Sequence, residues 1–94
     1  MTGDVMKRRY LEVTFRNGKP LAAYLYLPRN PDDVSVRTVR DGSGLLVDYA
    51  ADGRAIGIEI PSPGSIRLET LNQVLASLDQ GPATAEELAP AGAA

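Results

Sequence analysis

Asp48 and Glu59 are the residues whose types and spacing come nearest to chemistry. A tight turn at Asp52-Gly53 sets Asp48 opposite Gly57 and leaves Glu59 diagonally across on the same polar face of a predicted hairpin. Two carboxylates beside a glycine can share a divalent cation, or divide the roles of proton donor and acceptor. The same register sets Arg37 opposite Asp48 on the preceding strand. An Arg37–Asp48–Glu59 cross-strand cluster, stabilising pairing by a fraction of a kcal/mol, is therefore the simpler reading. No catalytic residue, metal or cofactor is expected, with Asp48 and Glu59 as the candidates should a metal bind. Glycine weakens a strand interior, so Gly57 signals a bulge or the close approach of another backbone.

The chain has no histidine and no cysteine. That removes the usual general base, the commonest neutral metal ligand, disulfides, and every Ser-His-Asp or Cys-His arrangement within the chain. Tyr10, Tyr24 and Tyr26 with Arg8, Arg9, Arg16 and Lys19 form an aromatic and basic grouping of the kind that stacks on single-stranded nucleic acid. Tyrosines on a strand more often pack across strands or form a wet-edged interface, so nucleic acid is a lesser alternative. The glycines lack a phosphate-loop motif, and Asp41-Gly42 and Asp52-Gly53 lack the loop of a calcium hand.

The positioning elements read as strands. Tyr10–Arg16 alternates, with Leu11, Val13 and Phe15 on one face. Asn17-Gly18 is a hairpin turn in which Gly18 accepts a positive φ. Leu21–Leu27 follows, apolar on both faces. Pro28–Asp33 is a loop. Strands at Val34–Arg40, Leu45–Ala50 and Ala55–Ile60 are separated by Asp41–Gly44 and by Asp52-Gly53. Taking Asp52 and Gly53 as the central turn residues pairs Tyr49 with Ile56, Val47 with Ile58 and Leu45 with Ile60 on one apolar face. A four-residue turn before them pairs Val36 with Tyr49 and Thr38 with Val47, and turns Val39 and Leu46 to the other side. Thr70 with Gln73 matches a capping box, starting an amphipathic helix over about 70–80 through Leu71, Val74, Leu75 and Leu78. The expected fold is mainly β (α+β): a five-stranded antiparallel sheet from two hairpins with one C-terminal helix. Residues 1–8 read as a flexible leader, 9–80 as the domain and 81–94 as a flexible tail, with one further helical turn at Thr84–Leu88.

Ninety-four residues make one modest domain. With 44% hydrophobic and 23% charged residues the composition is that of a globular chain. The net charge of −2 hides an asymmetry: residues 1–40 hold eight Lys/Arg against four Asp/Glu, and residues 41–94 hold two against eight. Such polarity favours self-association. The basic N-terminus has no adjoining apolar run, so a cytoplasmic location without a signal peptide or membrane contact is expected.

The runs Gly44-Leu45-Leu46-Val47-Asp48-Tyr49, Asp52-Gly53-Arg54 and Gly57-Ile58-Glu59-Ile60 resemble the small bacterial and archaeal family called Domain of Unknown Function 2283. Ala23-Tyr24-Leu25-Tyr26-Leu27 is similar to its upstream strand, and the resemblance spans about residues 11–63. It implies a small β-rich domain and no assigned activity. Two acids common in that family are replaced: Pro20 and Leu21 stand before the upstream strand, and Ala50 stands two places after Asp48.

The expected function is a non-enzymatic interaction module, self-associating as a homodimer and binding a partner protein, in an accessory or antitoxin-like role. Leu21, Tyr24, Leu25, Tyr26 and Leu46 are its expected interface. Gly18, Arg37, Asp48, Gly53, Gly57, Glu59 and Thr70 are expected to serve the fold. A metal- or ligand-binding protein or enzyme using Asp48 and Glu59 is the alternative.

Overall fold

A computed structural model describes residues 8–91. The leader expected at 1–8 lies outside the described residues except for Arg8. Five strands form one antiparallel sheet: β1 (Tyr10–Arg16), β2 (Lys19–Tyr26), β3 (Arg37–Arg40), β4 (Leu46–Tyr49) and β5 (Ala55–Ile60), in the order β1-β2-β5-β4-β3. The β1–β2 hairpin and the β3–β4–β5 meander therefore join through β2 and β5. Tyr24 lies opposite Glu59 and Tyr26 opposite Gly57 across that junction. Helices α1 (Leu68–Ser77) and α2 (Ala85–Leu88) follow.

One face of the sheet makes the core. Ala23, Leu25, Leu27, Leu45, Val47, Ile58 and Ile60 pack with Leu71, Val74 and Leu75 of α1 and with Leu88 of α2. Ile56 is buried as well, and Tyr49 is half-buried against the cluster. Leu25, expected at an interface, is fully buried here: it pairs with Ile58 and Leu11, and that row faces α1 and α2. No helix of the described residues is long and apolar enough to cross a membrane.

The turns decide the register. Asn17 and Gly18 both take positive φ, as the expected two-residue hairpin needs. At Asp41–Gly44 the Gly44 N–H donates to the Asp41 carbonyl, Asp41 N–H donates to the Leu45 carbonyl, and Gly44 has φ +96°. This is a three-residue loop ending in a left-handed glycine, not a four-residue turn. The shift of one residue places Thr38 opposite Asp48, Arg37 opposite Tyr49 and Val39 opposite Val47. Arg37 thus leaves the acidic face, and its guanidinium sits 4.6 Å over the Tyr49 ring. Val39 joins the side of the core, at its exposed edge.

The Asp52-Gly53 turn closes the same way, with Gly53 at φ +92° and its N–H on the Ala50 carbonyl. Tyr49 pairs with Ala55, Ile56 is the extra residue of a bulge, and the expected pairing resumes at Asp48–Gly57 and Val47–Ile58. A second bulge falls at Leu21, next to Pro20, which has no N–H for the ladder. It leaves Phe15 54% and Leu21 50% exposed at the hairpin tip, so Phe15 does not join the core row.

Two further differences concern the C-terminal third. The helix begins at Leu68 with Arg67 as N-cap, and Thr70 lies inside the first turn without capping. Ile66 and Leu68 pack against the core, and that burial sets the entry point ahead of the capping signal. Beyond residue 81 the helical turn expected at Thr84–Leu88 is present as α2, capped by Thr84 accepting from Glu87 N–H, and the difference is that Ala83, Leu88 and Ala91 are buried against the domain. Residues 92–94 lie outside the described residues.

The loop before β3 is fastened by charge. Arg54 donates to both oxygens of Asp33 at 2.8 and 3.0 Å and, through Nε, to Asp52 at 2.6 Å. These bonds from Arg54 hold both carboxyls below the usual range, and the Ser43 side chain and N–H do the same for Asp41. A carboxyl whose pKa is depressed by folding stabilises above its unfolded value of about 4 and loses that contribution as pH falls through the folded value. Melting temperature is therefore expected to decline below about pH 4. Arg54→Gln should flatten that decline, which melting curves over an acid pH series measure directly.

Candidate functional site

The alternation that builds the core leaves a second face. Two cross-strand rows lie on it: Tyr10, Tyr26, Gly57, Asp48 and Thr38, then Glu12, Tyr24, Glu59, Leu46 and Arg40. Both helices contribute to the opposite side, so among the described residues this face has no covering layer.

Tyr24, Gly57, Asp48 and Thr38 form one unit across four strands. Tyr24 lies opposite Glu59, but its ring leans over Gly57. A β-carbon at position 57 would fall 1.9 Å from the Tyr24 hydroxyl oxygen and 2.3 Å from Cζ. Thus the close approach that Gly57 signals is made by an aromatic ring, not by another backbone. The Tyr24 O–H donates to Asp48 Oδ2 at 2.7 Å, and the Thr38 hydroxyl donates to Asp48 Oδ1. Burial foremost, then the bond to Asp48 and its negative charge, push the Tyr24 hydroxyl well above the usual tyrosine range.

The tyrosines continue as a ladder. Tyr10 and Tyr26 stack with centroids 4.6 Å apart and planes 10° off parallel, and Tyr24 meets Tyr26 edge-on at 4.7 Å. Tyr26 O–H donates to Glu12 Oε1, and the Arg29 guanidinium lies 5.7 Å from the Tyr26 centroid. Desolvation, then Glu12, raises the Tyr26 pKa too. Because folding favours neutral tyrosine here, this contribution is intact below the unfolded value of about 10 and fades as pH climbs toward the folded ones. At about pH 11 the folded protein should show less tyrosinate absorbance than the chain unfolded in urea, and Tyr24→Phe should narrow the gap.

This geometry bears on each candidate. Asp48 and Glu59 do share a face, as the hairpin register requires, but both Asp48 oxygens already accept from neutral hydroxyls. Among the described residues no group of three or more acidic, histidine or cysteine side chains comes together to hold a metal. Arg37 is absent from the cluster and Thr38 stands in its place. The positive-φ preference of Gly44 is the signal that could have found Thr38. Tyr24, Tyr26 and Leu46 lie on the open face, half-buried, while Leu21 sits at the hairpin tip.

Two of the basic residues expected beside the tyrosines stand apart from them: Arg16 and Lys19 flank the Asn17-Gly18 turn, six residues from Tyr10 and five from Tyr24, or about 15–20 Å along a strand. Arg9 is used by the fold: its guanidinium donates to the Gly81 and Pro82 carbonyls and pairs with Glu87. A cleft of about 290 Å³ between the β4–β5 turn and the end of α1, lined by Tyr49, Arg54, Ser77 and Asp79 among others, holds none of the tyrosine–acid unit.

Residues 22–61 match the model of a family described as a protein of unknown function (DUF2283). The match runs from β2 through β5, so Tyr24, Thr38, Asp48 and Gly57 all fall within it, and β1 and both helices fall outside. No curated protein and no solved structure matches the chain.

Proposed function

We propose that this chain, whose residues 22–61 match the DUF2283 model, is a non-enzymatic interaction module that self-associates through the open face of its sheet. The observation that carries the reading is the ladder Tyr10–Tyr26–Tyr24, with Leu46 beyond Glu59 in the Tyr24 row, on the face the helices leave uncovered among the described residues. Aromatic side chains with a wet hydroxyl edge are the residues that interfaces favour. An aromatic face left in water is an association liability that a second copy relieves.

Asp48 supports this reading over a metal or catalytic one. Its carboxylate orients Tyr24 and Thr38, which makes it a fastener of the face rather than a free ligand. The distance between the basic hairpin tip and the tyrosines weighs against nucleic acid, whose clamps interleave the two. A partner protein taken up by the same face is the finer form of the proposal, and a partner would compete with the second copy for these tyrosines.

Sedimentation over a series from about 1 µM to 1 mM should show a concentration-dependent shift toward twice 10.0 kDa. Leu46→Lys, which puts a charge in the middle of the face, should abolish the shift and leave the melting curve cooperative. A wild-type protein that stays monomeric throughout would overturn the proposal.

A further inference from the structure

The two rows of the open face are complementary to themselves in one orientation. Taken across the sheet from β1 to β3, the first reads Tyr10, Tyr26, Gly57, Asp48, Thr38 and the second Glu12, Tyr24, Glu59, Leu46, Arg40. The middle strand is β5. A two-fold axis lying in the interface and parallel to β5 reverses the strand order and keeps each row at its own level. The second row then meets its own reverse: Glu12 opposes the partner's Arg40, and Tyr24 opposes the partner's Leu46. In the first row Tyr26 opposes the partner's Asp48, Tyr10 opposes the partner's Thr38, and the small Gly57 meets its own copy at the axis.

The other face-to-face two-fold, in the plane but across the strands, gives a poorer match. It exchanges the rows, sets Asp48 against the partner's Leu46, Glu12 against the partner's Tyr10 and Arg40 against the partner's Thr38. No acid then meets a base. Edge pairing through β3 is disfavoured by that strand's own design, since it is four residues long and carries Arg37 and Arg40, features that blunt an edge.

Resting on the self-association reading above, we propose that the occupant of the open face is a second copy of this chain, docked about an axis parallel to β5, with two symmetric Glu12–Arg40 bridges at the rims. The arrangement carries one internal conflict, because Glu59 meets its own copy at the axis. That conflict marks the axis and makes it testable. Glu12, Arg40 and Glu59 are all exposed in a single chain, so substitutions there act on association with little effect on folding, those at Glu12 also releasing the Tyr26 hydroxyl.

The experiment is a charge-swap cycle read by sedimentation at low salt, with melting curves confirming that each variant folds. Glu12→Arg alone and Arg40→Glu alone should each weaken dimerisation roughly tenfold, since each breaks two bridges and juxtaposes like charges. Combining them should restore it to within about threefold of wild type. Glu59→Gln should tighten the dimer. A dimer that forms but shows no rescue in the double variant, or no tightening with Glu59→Gln, overturns this orientation while leaving self-association standing. Absence of any dimer in the wild type removes both. Should either charge reversal melt early, the pair Glu12→Gln and Arg40→Gln tests the same contact through their coupling: non-additive loss supports it and additive loss overturns it.

Discussion

Gly57→Ala is expected to lower the melting temperature by about 10–20 °C, although alanine is the better strand residue. The ideal β-carbon falls 1.9 Å from the Tyr24 hydroxyl oxygen and 2.5 Å from Cε2, so the ring must leave its seat. Overpacking of this kind costs about 1–3 kcal/mol. Displacing the ring also breaks the 2.7 Å bond to Asp48, worth about 1 kcal/mol net. Against this stands a gain of about 0.5–1 kcal/mol from relieving the glycine. The net is a loss of about 1–3.5 kcal/mol, centred a little above about 2, at about 4–8 °C each for a domain of this size. The mechanism makes a stronger demand than the magnitude. With Tyr24→Ala in place nothing occupies the seat, and adding Gly57→Ala should then be neutral or stabilising. A second substitution that destabilises equally in both backgrounds would show that the tyrosine is not the reason for the glycine. The single variant should also weaken self-association, because Tyr24 is central to the open face.

The reach of sequence reasoning here follows from which interactions are local. The body of the β4–β5 hairpin is readable because Val47, Ile58 and Ile60 alternate with Asp48 and Glu59, and only one register buries the first set. The same alternation puts Asp48 and Glu59 on one side of their hairpin and Tyr24 and Tyr26 on one side of β2, and the β2–β5 pairing, which no local signal sets, brings the two groups together. Registers next to turns are not readable in this way. Whether Asp41–Gly44 closes with two, three or four loop residues depends on Gly44 adopting φ +96°, a choice of one backbone angle that moves Arg37 and Thr38 to opposite faces. Pro20 is visible in the sequence, but the bulge beside it, which turns Leu21 out of the core row, depends on how the ladder accommodates a missing N–H. Gly57 is legible as a site of close approach. What approaches it is a side chain leaning diagonally from β2, and the pairing of β2 with β5 is a long-range contact that no turn between them sets.

Leu88 shows the same limit at the other end of the chain. The segment Gly81–Ala91 is rich in alanine and proline, and the sequence offers it one helical turn at Thr84–Leu88 within a tail, with nothing local to say that the turn is packed. Its order comes from long-range contacts. Arg9, at the entrance to β1, binds the Gly81 and Pro82 carbonyls and Glu87. Asn72 of α1 accepts from Ala83 N–H at 2.7 Å and donates back to the Ala83 carbonyl. Thr84 caps the short helix, and residues 85–91 then lie against β1, with Leu88 and Ala91 fully covered. Leu88→Ala is therefore expected to cost about 2–5 kcal/mol, the range for a buried leucine whose cavity closes incompletely. A residue in a frayed tail would cost nothing, so a denaturant midpoint unchanged by Leu88→Ala would contradict the packing of this segment. Hydrogen exchange distinguishes a local effect from a global one. In the wild type the amides of Glu87 and Leu88, which donate to Thr84, should exchange slowly. Arg9→Ala should speed that exchange while leaving the β4–β5 amides protected, because it releases the clamp and spares the core face. Leu88→Ala should speed both, because the side chain it truncates belongs to the same buried cluster as Leu25 and Ile58.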